Sequence, residues 1–194
     1  MLLYCAGDLS LFQTECAALV GSRRLRQPGR RFAEALGKAA AQQNLTYVSG
    51  GAAGADTVGL DSAMAAGGQA IVFVADSLKA RMAQMARILQ TGRLLLVSEY
   101  GFDQEFSAQR AYSRNRLIHA MGQKVFVAQS DYGKGGTWNG VIENLKNGWS
   151  PVYMCDLEPE DPGTRGLLER GCHAAPLAEL ADLRALQRGQ IGLF

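Results

Sequence analysis

Six stretches of the chain are apolar at nearly every position instead of at alternate ones: 17–22, 46–50, 70–75, 94–99, 124–129 and 151–155. Strict alternation would leave one face of a sheet in water, whereas unbroken short runs rich in valine predict strands covered on both faces. Between them the apolar spacing changes to threes and fours. Segment 29–42 places Phe32, Ala35, Leu36 and Ala39 on one side, and 55–66, 78–90, 109–121 and 137–147 follow the same rule, so helices are predicted there. Neighbouring parallel strands need a crossover of about a dozen residues, and strand followed by helix, repeated along the chain, supplies them. The pattern predicts a doubly wound, mostly parallel α/β sheet with helices on both faces. Residues 156–163 (DLEPEDPG) read as a connector and 164–188 as one or two small helices against the sheet edge. The expected organisation is one domain over 1–163 with a C-terminal helical extension, 164–194, packed on it.

In such a sheet ligands gather beyond the carboxyl ends of the strands, where loops run into helix N-termini with unpaired N–H groups. The segment SGGAAGADT, Ser49 to Thr57, sits at one such junction. Its glycines can adopt the positive φ of an anion-binding nest, which makes Ser49, Gly50, Gly51 and Gly54 candidate phosphate contacts. The plainer alternative is that glycine only turns the chain. GGAAGAD does not have the GxGxxG spacing of a dinucleotide site, and no GxxxxGK[ST] loop for a nucleoside triphosphate occurs. Asp56 is expected to cap or orient the following helix.

Charge sharpens this picture through its distribution, not its total. The 194 residues carry 20 Lys and Arg against 18 Asp and Glu, a formal charge of only +2, so contact with a polyanion must rest on local clusters. Arg23, Arg24, Arg26, Arg30 and Arg31 crowd the end of the first predicted strand, while Asp156, Glu158, Glu160 and Asp161 gather in the connector. Ser22, Arg23 and Arg24 close that strand. Lys134, Gly135, Gly136 and Thr137 follow the strand at 124–129, and Arg114, Asn115 and Arg116 open the helix at 109–121. A parallel sheet brings these loops to one rim, where guanidinium forks, an ammonium and glycine-lined backbone suit phosphate. Arg26, Arg30 and Arg31 are expected to be a solvated helix face. Tyr112, Tyr132 and Trp138 lie on or beside these loops as stacking surfaces or as packing.

Other chemistry is not indicated. Cys5, Cys16, Cys155 and Cys172 stand far apart with no CxxC pair, and His119 and His173 have no metal-ligand spacing around them. Neither Ser22 nor Ser49 lies in a GxSxG nucleophile elbow. No metal, cofactor or catalytic residue is expected. The longest apolar runs are too short to span a bilayer and the N-terminus has no charged lead-in to a signal sequence, so a cytoplasmic protein is expected.

In order along residues 2–175, LLYCAGDLSLF, AALVGSRR, SGGAAGAD, SEYGF, SRNRLIHAM, VFVAQS and PGTRGLLERGC resemble the motifs of the DNA-processing protein A (DprA/Smf) family. Each motif is short; the combination of VGSR, SGxAxGxD and RNRxI is specific. The resemblance implies an extended Rossmann-like fold that binds single-stranded DNA without strong sequence preference. It also implies a homodimer, RecA loading during transformation or recombination, and no catalysis. The chain departs from the family pattern at Ala53, where the family has arginine, at Gly59-Leu60, at Gly135-Gly136-Thr137 and at Met154-Cys155-Asp156. A rival resemblance is to nucleoside-monophosphate phosphoribohydrolases and nucleotide sensors of the wider fold group. There Gly135-Gly136-Thr137 and Glu143 loosely match PGGxGTxxE, whose glutamate acts on the nucleotide.

Overall fold

A computed structural model describes residues 2–186. Its centre is an eight-stranded sheet in the order β1-β5-β4-β3-β2-β6-β7-β8. All six predicted strands are present: β2 (Cys16–Val20), β3 (Thr46–Ser49), β4 (Gln69–Phe73), β5 (Leu94–Ser98), β6 (Lys124–Val127) and β7 (Val152–Cys155). They pair in parallel throughout. Nearly every residue on them is buried, as two-sided coverage requires.

Two strands were not expected. β1 (Tyr4–Gly7) runs antiparallel on the outer edge of β5, and a short 3₁₀ helix, Leu9–Gln13, returns the chain to β2. β8 (His173–Ala175) extends the other edge by pairing in parallel with β7. The segment expected to be wholly helical is therefore a helix, a strand and a 3₁₀ turn: α7 (Pro162–Leu168), β8 and Leu177–Asp182. Residues 187–194, the end of the expected extension, lie outside the described residues.

The helices are α1 (Gln27–Gln42), α2 (Ala55–Ala65), α3 (Leu78–Gln84), α4 (Ala86–Leu89), α5 (Ala108–Met121), α6 (Gly135–Asn147) and α7. The helix expected over 78–90 is broken at Met85, which ends α3 and opens α4, and α4 packs on the core through the half-buried Ile88 and Leu89. The Phe32, Leu36 and Ala39 stripe of α1 is buried. Gly37 and Gly59 let α1 and α2 touch backbone to backbone: a Cβ on Gly37 would run into the Gly59 carbonyl.

The connections place the ligand crevice. From β2 the chain steps through β3 and β4 to β5 in one direction, then returns through α5 to β6 on the other side of β2 and continues to β7. Right-handed crossovers then put α1–α4 on one face and α5–α7 on the other. The direction reverses between β2 and β6, and outside the carboxyl ends of those two strands the loops must part. Among the described residues no helix is long and apolar enough to cross a membrane.

Candidate nucleic-acid interface

A cleft of about 870 Å³ opens where the strand order reverses. One wall is the end of β2 and its loop, Ser22, Arg23 and Arg24. The other is the end of β6 and its loop, with Lys134, Gly135, Gly136 and Thr137, and α5 contributes Arg114 and Asn115 to the base. These predicted residues, drawn from distant segments, thus share one cavity. Ser49, Gly50, Gly51, Gly54 and Arg116 do not line it.

The β2 wall is a fixed backbone bearing free side chains. Ser22 Oγ accepts from the Arg24 N–H and donates to its carbonyl, both at 3.1 Å. Gln129, at the end of β6, donates to the Arg24 carbonyl at 3.2 Å and accepts from the Arg26 N–H at 2.8 Å. The loop is thereby clamped to the strand across the cleft. Arg23 and Arg24 are exposed, and among the described residues neither they nor Lys134 forms an ion pair. Arg26 does: it meets Glu158 at 2.9 Å and Asp161 at 2.7 Å. The acidic connector therefore offsets a cation at the start of α1, where the helix dipole disfavours positive charge. Arg30 faces Glu34. Asp131 is the acidic group exposed in the cleft itself.

The β3–α2 loop departs from expectation. Asp56 Oδ2 accepts the N–H groups of Gly50 and Ala52, at 3.1 and 3.2 Å, and the Gly51 N–H points to Ser49 Oγ. The donors of Gly50, Gly51 and Ala52 are thus already satisfied within the loop. Its glycines answer to crowding instead. Gly54, at φ +90°, leaves no room for a Cβ beside the Ser22 carbonyl and the Arg23 carbonyl oxygen 2.6 Å away, and a Cβ on Gly50 would overlap the Arg114 guanidinium. Burial pushes the Asp56 carboxyl up from its ordinary pKa, against the pull of Arg114 and the two N–H groups.

Arg114 is also not the free surface cation the sequence suggested. It is 5% exposed, and its Nη1 donates to the carbonyls of Gly50 and Phe73, tying α5 to the ends of β3 and β4. Burial lowers its pKa, with Asp56 and Asp76 opposing. Arg116 lies on the outside of α5, donating to Ser113 Oγ at 2.7 Å.

The aromatic groups divide. Tyr112 is exposed in the cleft, and its phenol faces Glu143, which raises its pKa. Trp138 is buried under Tyr132, with Arg170 over both rings, and neither ring lines the cleft. Phe106 was not anticipated. It is 51% exposed, lines the cleft and carries the Arg23 guanidinium 5.1 Å from its ring centre. A phenylalanine in the polar run DQEFSAQ was the available signal. Among the described residues no cluster of three or more His, Cys, Asp or Glu could hold a metal ion.

Known proteins give this geometry a context. The DNA processing protein A of Helicobacter pylori, whose structure was described for a unique single-stranded DNA binding mode, is 28% identical with a TM-score of 0.77. The match covers 92% of this chain and 82% of that one. The Streptococcus pneumoniae DNA processing protein A gives the same TM-score at 24% identity; this chain spans 62% of its length. A molybdenum cofactor carrier protein from Chlamydomonas reinhardtii, 16% identical with a TM-score of 0.59, shares the fold. No curated sequence matches the chain. Residues 1–184 match the family described as DNA recombination-mediator protein A, and the chain belongs to that family.

Proposed function

We propose that the cleft between β2 and β6 binds single-stranded DNA, with phosphates on its cations and bases on its exposed rings, and that it performs no chemical step. The observation that carries this reading is the meeting of Arg23, Arg24 and Lys134, none of them in an ion pair among the described residues, with Phe106 and Tyr112 around one open crevice. A positively lined groove can follow a phosphate backbone while aromatic faces accept bases of any identity. Family membership and the single-stranded DNA binding of the Helicobacter pylori relative point the same way. Against the hydrolase reading, Glu143 faces Tyr112 and does not itself line the cleft. Assembly as a homodimer, a cytoplasmic location and loading of RecA onto the bound strand complete the proposal, as the family resemblance implies.

Fluorescence anisotropy with labelled oligo-dT at several salt concentrations tests it. Three phosphate contacts on a single strand give a log–log salt slope of about −2. Conversion of AMP to adenine and ribose 5-phosphate, without oligonucleotide binding, would replace the reading with the hydrolase.

A further inference from the structure

Asp131 is out of place in a cleft that takes a polyanion. It follows the end of β6, is exposed, and lines the cavity together with Arg23, Arg24 and Lys134. Its backbone is held there. Ser130 Oγ donates to the Asp131 carbonyl at 3.2 Å, and the Ser130 carbonyl lies so close to Gly163 of α7 that a Cβ on that glycine would collide with it. None of the usual partners compensates the carboxylate. Among the described residues it forms no ion pair with the cations of the cleft and no side-chain hydrogen bond, and α6 begins at Lys134 without a side-chain cap.

A fixed negative charge repels a phosphate chain. Phosphates therefore keep to Arg23, Arg24 and Lys134, and what faces Asp131 is the other side of the strand, its base edges. An ionised carboxylate is an acceptor only. Guanine presents two donors side by side, N1–H and N2–H, which match the two oxygens of a carboxylate as an arginine fork does, whereas thymine, cytosine and adenine offer a single donor group each. Beside its donors guanine carries an acceptor, O6, and the cleft has a donor for it. Asn139, exposed on α6 one turn after Gly135, lines the cavity, and its amide has no hydrogen-bond partner among the described residues. Asn115, by contrast, already donates to the Gly136 carbonyl at 3.4 Å. Tyr112, exposed in the same cavity, offers a ring on which a purine stacks.

We infer that Asp131 and Asn139 form a guanine-reading site within the cleft. Asp131 accepts N1–H and N2–H, Asn139 donates to O6, and Tyr112 carries the purine ring. The site rests on the strand-binding reading only for the source of the base, which is a guanine of the bound strand or a free guanine nucleotide. Elsewhere along the strand stacking takes any base; at this position the base is read.

Anisotropy measurements with all-dT, with the same oligonucleotide carrying one central dG, and with inosine in place of that guanine test the site, because a flexible strand can slide its one purine onto it. The dG strand is expected to bind about tenfold tighter than all-dT, and inosine, which lacks the N2 amino group, to lose most of that gain. In Asp131→Asn the preference should vanish, and all-dT should bind about two- to threefold tighter than to wild type because a repelling charge is gone. Thermal unfolding checks the fold of the variant, and the comparison of guanine with inosine needs no variant. Equal binding of the dG and all-dT strands by wild type, or a guanine preference that survives Asp131→Asn, overturns the inference while oligo-dT binding still supports the strand-binding reading. GMP against AMP separates the sources. GMP held about tenfold tighter than AMP, by a protein that does not bind oligo-dT, assigns the site to a free nucleotide and removes the strand-binding reading; a preference confined to the dG strand assigns it to the strand.

Discussion

Two junctions in this protein carry three glycines each, Gly50, Gly51 and Gly54 in one and Gly133, Gly135 and Gly136 in the other, and have opposite physical roles. In the β3–α2 loop the glycines are packed. Gly50 lies against Arg114, Gly51 has Val72 Cγ1 2.8 Å from where a Cβ would stand, and Gly54 lies under the carbonyls that follow β2. Asp56 takes the loop's N–H groups. In the β6–α6 loop nothing lies within 4 Å of a Cβ built on Gly133 or Gly135, and Lys134, at the N-cap of α6, forms no capping hydrogen bond. The first loop uses its glycines for closeness within the fold; the second leaves backbone and ammonium open to a ligand. Glycine content therefore does not distinguish a cradle from a packing joint, whereas the fate of the donors and the space above each Cα do.

The sharpest break of this comparison is a methyl group placed in each loop. Gly54→Ala meets two carbonyls and a φ of +90° at once, for a loss on the order of 3–5 kcal/mol of folding stability. Gly135→Ala, at φ +86° with open space around it, incurs conformational strain alone, about 1–2 kcal/mol. Urea unfolding of the two variants measures the gap. Equal losses would mean that packing does not set the loops apart.

The second loop has its own support, and pH should expose it. Gly140 of α6 sits over His119 of α5, whose Nδ1 is paired with Asn144 Nδ2 at 3.0 Å, and Ser150 Oγ donates to the His119 carbonyl. Burial pushes the imidazole from 6.5 down to about 4. Between those values the unfolded chain binds a proton that the folded protein refuses. The contribution is fully present above pH 6.5 and is lost as pH falls toward 4, for a total of about 3 kcal/mol. Stability curves for wild type and His119→Leu should differ in slope across that window. The same slope in both would remove His119 as its source.

Binding should respond to the open loop more than to the packed one. Lys134→Glu reverses an exposed cation in the cleft. It is expected to lower oligo-dT affinity about tenfold and to reduce the salt slope by about 1, with unchanged unfolding. An unaltered slope would show that no phosphate reaches Lys134.

The sheet was legible because its inner strands are covered on both faces and therefore read as unbroken apolar runs. Its edges were not. Tyr4, Cys5 and Ala6 are only half-buried, and His173–Ala175 is three residues long, so pairing with a neighbour decides them more than composition does. The convergence of Arg23, Arg24 and Lys134 was legible for a related reason: parallel strands deliver every carboxyl end to one rim. The burial of Arg114 was not, since nothing in YSRNRL marks which arginine turns inward. Yet residues two apart on a helix are about 200° apart around its axis, so Arg114 and Arg116 could not have shared one cleft.

That spacing leads to the smallest effect. Arg116 is exposed on the side of α5 away from Arg114, holds Ser113 through Nη2 at 2.7 Å and Nε at 3.3 Å, and does not line the cleft. Arg116 stands one helical turn beyond Tyr112 without lining the cleft, so charge reversal there reaches a bound strand across solvent whose ions weaken it. Arg116→Glu is expected to change oligo-dT affinity less than twofold at moderate salt, against the tenfold loss from Lys134→Glu. If Arg116→Glu matches Lys134→Glu, the strand's path runs over the outer face of α5, and the division between an open cleft and its packed surroundings has been drawn in the wrong place.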